Sequence, residues 1–489
     1  MKSAQARRGM VRVFRRSLLG LPLLLASATA QAQPAEQPAP PAGLTAPRAM
    51  RLNEALRYAM AHQPQVVAAA ARVAAARADA RVPRAQWLPV LGAAAELVVG
   101  TTNNTTATPV NSGVLDVARI GGTTVVAPGD ATLVPSASTY LGVGVGQEIF
   151  DFGRIAAQSA ALDSLVLVQQ YEGGLTELDV GYSVESAYYS VGAARSVVAA
   201  AEGAYARSLA HRDLAKAGVS SGLRPPIELT RAEADLKRFD VGRIRARGGL
   251  VAAQAQLAAA VGVPDPTLDA AESPNPDLSP LPPAGQLMRE AGDRDPAILA
   301  ARARLRAQRA ETTAIRAELR PNLWLTGTFS GRGGSADASG ATTNGTSNLP
   351  NDSWAPLVPN WDLGLVLSWR AFDDTVLARA RASEARERVR QAELDSVQQK
   401  DIAVVQQAYT AALVAQNALP ALVRSREAAQ ANYDQVEARF KAGLATGVEL
   451  ADAEAIRTDA EIQEALGRFE VARTRAALAR AVGRGQMRR

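Results

Sequence analysis

The hydrophobic period along the chain changes from helical to alternating and back, and the whole cycle occurs twice. From about Leu52 to Val82 the spacing is helical, rich in Ala and Arg, and interrupted at Pro64. Pro83 and Pro89 bracket the change to extended chain. From Val90 to Val99 the odd positions Leu91, Ala93, Ala95, Leu97 and Val99 are apolar, and the even positions include Gly92, Ala94 and Glu96. A period of two with one greasy face predicts a half-exposed strand. Residues 102–138, rich in Thr, Asn, Gly, Pro and Val, read as a long loop without regular structure. Alternation resumes at Tyr140, with Leu141, Val143 and Val145 opposing Gly142, Gly144 and Gly146. Residues 154–216 hold no strong breaker except Gly and predict one helix of about 95 Å. That helix is expected to end at Ala217-Gly218, with Gly218 left-handed, Ser220 and Ser221 as caps, and Pro225-Pro226 opening a return helix to Val261.

The second half repeats the order. A helix is expected from about Leu287 to Leu319. A strand follows in which Leu323, Leu325, Gly327 and Phe329 face away from Trp324, Thr326, Thr328 and Ser330. After a Gly/Ser/Asn loop, Leu363, Leu365, Leu367 and Trp369 alternate with Asp362, Gly364, Val366, Ser368 and Arg370. A long helix is expected over Thr375 to Lys441, kinked or broken at Pro420, and a last one from Val448 to Ala481.

Residue matches make this an internal duplication. Pro64 matches Pro296 and Pro89 matches Pro321, both at an offset of 232. Phe150-Asp151 matches Phe372-Asp373 at 222. Lys216-Ala217-Gly218 matches Lys441-Ala442-Gly443 at 225, whereas Ile227-Glu228-Leu229 matches Val448-Glu449-Leu450 at 221. On this alignment the four residues Leu223 to Pro226 are an insertion. The layout is then a segment 1–32, a Pro/Ala-rich stretch 33–49, a first repeat 50–263, a linker 264–284 and a second repeat 285–489. Strands are expected at about 90–101, 139–149, 321–330 and 361–370, with tips at 217–226 and 442–447.

Helices of about 30 and 35 residues flank one of about 65 in each half, so the short pair can stack end to end beside the long one. Leu394, Val397, Ile402, Val405, Tyr409 and Leu413 space a lateral packing stripe on the second long helix. Four strands cannot close a barrel, and open edges are not tolerated in lipid, so closure would require several copies of the chain. Apolar strand faces would then meet lipid: Leu91, Leu97, Leu141, Val143, Val145, Leu323, Leu325, Leu363, Leu365, Leu367 and Trp369.

Charge and chemistry narrow the classes. Lys2, Arg7, Arg8, Arg12, Arg15 and Arg16 precede the apolar run Leu18 to Ala26, and Ala30-Gln31-Ala32 offers a cleavage site, so 1–32 reads as a secretory signal. Phe14-Arg15-Arg16-Ser17-Leu18-Leu19 leaves a twin-arginine signal as the alternative. Six of the 54 basic residues lie in 1–32, leaving 48 against 48 acidic ones, so no basic excess argues for nucleic acid. With no Cys there is no disulfide and no lipid-modified Cys.

The order of helix, Pro-bounded strand, loop, strand ending in Phe150-Asp151-Phe152-Gly153-Arg154, long helix and Gly-centred turn resembles the TolC-like outer-membrane efflux proteins, as do Trp361 to Phe372 and the paired tips at Gly218 and Gly443. The resemblance spans about residues 50–485. It implies a mainly α chain with a membrane β-barrel: a homotrimer whose 12-strand β-barrel in the outer membrane stands on a long periplasmic α-helical barrel. It further implies docking of the tips on a periplasmic adaptor, at Ala217, Gly218, Val219, Ala442, Gly443 and Leu444, and through that adaptor a link to an inner-membrane pump. Glu449 and Asp452 match an acidic ring at the periplasmic mouth, although plain solvated helix residues fit the pair equally. Ala445 stands where a basic residue often locks that mouth, so the locking is left open.

Gly142-Val143-Gly144-Val145-Gly146, Asp151-Phe152-Gly153 and His211-Arg212-Asp213 imitate kinase signatures, but in the wrong order. With two His and no Cys, a zinc site is not expected, and no nucleophile–base pair stands out. No enzyme activity and no cofactor are therefore expected. Three functional classes remain: an efflux exit duct, the same duct serving type I protein secretion, and a periplasmic coiled-coil scaffold. The alternating strands argue against the scaffold. Efflux leads because most resembling proteins serve it.

Overall fold

The computed structural model describes residues 49–100, 104–105, 110–111, 116–117, 124–125, 133, 136–264, 266–271, 277–334 and 358–485. The expected signal segment 1–32 and most of the Pro/Ala-rich stretch lie outside the described residues, as do 272–276 of the linker.

In chain order, β1 (Ala49–Met50) leads into α1 (Leu52–His62), α2 (Pro64–Asp79), α3 (Val82–Ala85) and β2 (Val90–Gly100). The stretch expected to be irregular contains four two-residue strands, β3 (Asn104–Thr105), β4 (Val110–Asn111), β5 (Asp116–Val117) and β6 (Thr124–Val125), paired β3 with β6 and β4 with β5. Then come β7 (Ser136–Phe150), α4 (Arg154–Ser220), α5 (Pro226–Val261) and β8 (Asp269–Ala270). The second half has α6 (Ala284–Arg294), α7 (Pro296–Ala317), β9 (Asn322–Gly334), β10 (Val358–Ser368), α8 (Asp374–Lys441) and α9 (Gly447–Ala481).

Local chemistry sets most of these boundaries. Pro64 and Pro296 are first helical residues, which holds Gln63 and Asp295 extended and splits α1 from α2 and α6 from α7. The repeated Phe-Asp pair caps the long helices. Asp151 accepts the Gly153 N–H at 2.9 Å and also that of Ile155, and Asp373 accepts the Thr375 N–H at 2.8 Å. Of the kink or break expected at Pro420, the break does not occur. Pro420 is exposed, and α8 runs through it for 68 residues, so the lost backbone bond does not interrupt the helix.

The short helices do stack. Gly262, at φ 82°, turns the end of α5 onto Gln63, whose Nε2 donates to the carbonyls of Ala260 at 2.9 Å and Ala259 at 3.1 Å. Gly483, at φ 74°, brings the end of α9 against Asp295; a Cβ there would lie 3.4 Å from the Asp295 Cα. Each repeat therefore supplies one continuous strut and one built from two helices. Helix α4 is central and packs against α5, α7, α9 and α2, while α8 packs against α9, α7 and α6. Along the lower half the order across the layer is α5, α4, α9, α8. Of the expected stripe on α8, Leu394 and Val405 are buried and Val397 and Tyr409 pack against clusters, but Ile402 is 52% exposed and Leu413 39%. Those two residues face away from this chain's own helices.

The tip alignment needs correction. Helix α4 continues through Ala217 and Gly218 to Ser220, and the left-handed residue is Gly222, at φ 74°. At the other tip α8 ends at Lys441 and Gly443 is left-handed, at φ 78°. Leu223 N–H bonds the Gly218 carbonyl at 2.9 Å, and Leu444 N–H bonds that of Arg439 at 2.8 Å. Gly222 and Gly443, Leu223 and Leu444, and the helix starts Pro226 and Gly447 are all related by 221. There is no four-residue insertion: Lys216-Ala217-Gly218 repeats the letters of the second tip one turn too early.

Candidate functional sites at the sheet and the hairpin tips

The four long strands form one antiparallel sheet in the order β10-β9-β7-β2, leaving β10 and β2 as edges. Pairing aligns Leu91 with Val145, Val145 with Gly327, and Gly327 with Leu363. A neighbouring row runs Ala93, Val143, Phe329, Trp361. Because side chains alternate, these rows belong to one face. It is the more exposed one: Leu91, Leu97, Leu141, Val143, Val145, Leu325, Leu363, Leu365 and Leu367 are all exposed. Leu323 is only half-exposed. Trp369 lies one residue past the end of β10, exposed, with its indole N–H donating to the Leu319 carbonyl at 3.1 Å. Phe329 and Trp361, 62% and 75% exposed, belong to the same face and were not among the expected lipid contacts. The opposite face carries Gly92, Gly142, Gly144, Thr326, Thr328 and Asp362, and Thr328 Oγ1 donates to Asp362 at 3.1 Å.

Both tips end in apolar side chains turned outward. Leu223 is 83% and Leu444 71% exposed, and one turn on, Ile227 and Val448 are 52% and 54% exposed. Leu444 was expected here. Leu223 and Ile227 are the residues that the mistaken tip register hid. Ala217 is exposed but lies on the helix flank, and Gly218 and Val219 are half-buried in its last turn. Ala442 and Gly443 are exposed at the turn.

Glu449 and Asp452 are both exposed on the first turns of α9. Glu449 also has a local task. Thr446, the N-cap, accepts the Glu449 N–H at 3.3 Å, and its hydroxyl donates to the Glu449 carboxylate at 3.4 Å. Arg439 stands 3.9 Å from that carboxylate. The residue equivalent to Ala445 in the first tip is Arg224. It pairs with Glu228 at 2.9 Å, donates to the Phe440 carbonyl at 3.2 Å and lies 4.0 Å over the Phe440 ring, tying the first tip to the end of α8.

Above the tips a buried polar network joins three helices. Glu454, on α9, is 1% exposed and accepts Arg207 Nε from α4 at 2.8 and 2.9 Å, while Thr458 donates to it at 3.1 Å. His211 Nε2 meets the Tyr433 hydroxyl of α8 at 3.0 Å, with Phe440 edge-on. Burial lowers the His211 pKa, and burial followed by the carboxylates of Glu454 and Glu437 pushes Tyr433 up to about 12. His211 is thus a packed, hydrogen-bonded residue. Among the described residues no three His, Asp or Glu side chains are grouped to hold a metal, and no helix is long and apolar enough to cross a membrane.

The chain belongs to the outer membrane efflux protein family, whose model matches residues 55–263 and 287–484. The two matched blocks fall on the two repeats. Its fold is that of solved outer-membrane channels. The channel OprN is 23% identical, covering 89% of this chain and 90% of that one, with a TM-score of 0.69. VceC from Vibrio cholerae is 18% identical, covering 89% and 96%, at 0.68. The open state of MtrE from Neisseria gonorrhoeae is 21% identical, covering 89% of each, at 0.66. No curated protein sequence matches significantly. OprN and MtrE are outer-membrane channels.

Proposed function

We propose that this chain is the outer-membrane exit duct of a tripartite efflux system, passively conducting small toxic compounds delivered by an inner-membrane pump through a periplasmic adaptor. The observation that carries the reading is the sheet: four strands, an apolar outer face, a Gly- and Thr-rich inner face, and two unpaired edges. Such a sheet is stable in lipid only when its edges are paired, so β2 of one copy would pair with β10 of the next. The helical layer is open in the same sense, with α5 at one border and α8 at the other, and a homotrimer closes both. The exposed leucines and valines of the outer face, together with half-exposed Leu323 and the exposed Trp369, would then meet outer-membrane lipid.

At the far end, Leu223, Ile227, Leu444 and Val448 would present the adaptor with matching apolar knobs, beside Ala217, Gly218, Val219, Ala442 and Gly443. Glu449 and Asp452, repeated in three copies, would line the mouth with carboxylates and disfavour anions. Residues 1–32 would serve as the export signal.

The test is growth of a deletion strain on a panel of dyes, detergents, antibiotics and metal ions. Broad sensitisation, reversed by the intact gene but not by one carrying Leu223→Asp and Leu444→Asp, is the expected result. No sensitisation, with loss of a secreted protein instead, would replace efflux by type I secretion on the same duct.

A further inference from the structure

Two backbone irregularities follow one another where β7 runs into α4, and the duct reading uses neither. The first is a bulge between Glu148 and Phe150. Before it, the odd residues Leu141, Val143 and Val145 share the exposed apolar face of the sheet, and the even ones point to the other face. Without the bulge Phe150 would join the Gly-rich face. Instead it lies opposite Leu323, which in turn lies opposite Leu367. Both of those belong to the apolar face, so the extra residue re-aims the Phe150 ring onto it. Phe150 is 50% exposed there.

The second irregularity is Phe152, at φ 52° the one non-glycine residue with a left-handed backbone among the described residues. A bulky side chain is strained in that conformation, whereas glycine is not. Polar ties hold the corner. Asp151 accepts the Gly153 N–H at 2.9 Å, and Arg320 from the second repeat donates to the Phe152 carbonyl at 2.6 Å. Neither tie uses the Phe152 side chain. Phe152 is 44% exposed, and its ring meets that of Phe150 edge-on, 4.6 Å between centroids. In the second repeat Asp374 matches Phe152 at the offset of 222 and is simply the first residue of α8. The strained corner is thus peculiar to the repeat that carries the phenylalanine.

A row of large apolar side chains therefore closes the helix-side end of the apolar face. Phe150, Leu323 and Leu367 cross three strands, and Phe152 and Trp369 stand two residues further on. Trp369 is 64% exposed, with its indole N–H already bonded to the Leu319 carbonyl. Just past the row stand exposed arginines, Arg320 before β9 and Arg370 after β10. Rings backed by guanidinium groups suit the zone where hydrocarbon gives way to headgroups. Strands β7 and β9 are central in the sheet, so a neighbouring copy pairing at the edges β2 and β10 leaves the two phenylalanine rings uncovered.

We propose that Phe150, Phe152 and Trp369 anchor the chain in the headgroup–acyl boundary of a phospholipid leaflet, and that the left-handed corner at Phe152 is kept for this lipid contact rather than for the fold. The anchor rests on the membrane-spanning reading of the sheet. It adds the level at which the membrane ends, the β7–α4 corner, and a reason for a phenylalanine where the backbone favours glycine.

The chain has no Cys, so single cysteines can carry spin labels in the intact protein, reconstituted in vesicles of phosphatidylethanolamine and phosphatidylglycerol. Power saturation then compares access to oxygen, which concentrates in the bilayer, with access to a nickel chelate, which stays in water. Leu141→Cys on the sheet should favour oxygen, and Leu223→Cys at the first tip should favour nickel. Phe150→Cys, Phe152→Cys and Trp369→Cys should share one intermediate depth. If those three were as open to nickel as the tip label while the sheet label stayed in lipid, the anchor alone would be overturned. A sheet label open to nickel would overturn the membrane-spanning reading and the anchor with it. Phe152→Gly separates lipid contact from fold. It suits the left-handed backbone, so the unfolding midpoint in detergent should not fall, while the Phe150→Cys label in vesicles should shift toward water. A lowered midpoint or an unmoved label would refute the lipid role of Phe152.

Discussion

Glu454→Ala should be among the most destabilising single substitutions in the tip half of the chain. The carboxylate is 1% exposed and receives three close contacts from Arg207, at 2.8, 2.9 and 2.8 Å, as well as the Thr458 hydroxyl. Its removal strands a guanidinium whose side chain is 23% exposed, with Glu461 at 3.8 Å as the remaining partner. Breaking a buried pair from one side is worth about 3–5 kcal/mol. Partial exposure of Arg207 and the residual attraction of Glu461 put the expected loss at the low end, about 3 kcal/mol.

The duplication contains its own control. Glu233 matches Glu454 at the tip offset of 221 and is exposed, so Glu233→Ala should stay within about 0.5 kcal/mol of wild type. Guanidinium unfolding in detergent, at one fixed protomer concentration, reads both variants. The double variant Arg207→Met/Glu454→Met should recover to within about 1 kcal/mol, because it leaves no uncompensated charge. If Glu454→Ala and Glu233→Ala shifted the midpoint equally, the assignment of the network as a buried pair would be refuted.

Two further substitutions probe the backbone and the packing. Gly222→Ala and Gly443→Ala should each lose about 1–2 kcal/mol in the same unfolding assay, since both residues are left-handed, at φ 74° and 78°. A Cβ on Gly192 would lie 2.5 Å from the Phe469 ring, so Gly192→Ala should lose about 1–3 kcal/mol by overpacking, outweighing its better helix propensity. Gly248 on α5 has nothing within 4 Å, so Gly248→Ala should gain about 0.5–1 kcal/mol, unless a second copy packs there, in which case cross-linked oligomer is lost as well.

Elements defined by local pattern were legible in the sequence. Alternation found all four long strands, and helices start at Pro64 and Pro226 as read, but the break before Pro296 divides what was expected as one helix from Leu287 to Leu319. Strand ends were less legible: β7 begins at Ser136 and β9 reaches Gly334, because their Ser, Thr and Gly residues read as loop while ladder pairing keeps them extended. The tip register failed for a similar reason. Lys-Ala-Gly occurs at both tips, but a backbone turn is fixed by where φ becomes positive, not by which letters precede it. Glu454 and Glu233 look alike on charged helices, and only the packing of α9 against α4, with no equivalent cover over Glu233, buries one and exposes the other.

That last difference extends to the whole duplication. Two copies of one unit keep the same backbone landmarks, yet at three matched positions their side chains diverge: Arg224 against Ala445, Gln63 against Asp295, and exposed Asp179, paired with Arg480, against buried Asp401. Topology adds a further asymmetry. In the tip half α9 lies between two long helices, whereas α5 touches mainly α4 and forms a border of the layer. A helix packed on two sides buries polar residues that its counterpart leaves in solvent, as Glu454 and Glu233 show. Arg224 then links the bordering hairpin to the interior one through Phe440. Since the Ala445 methyl group cannot return that link, the connection runs one way, and removing Arg224 should free the first tip while leaving the second tip's Thr446–Glu449 cap intact.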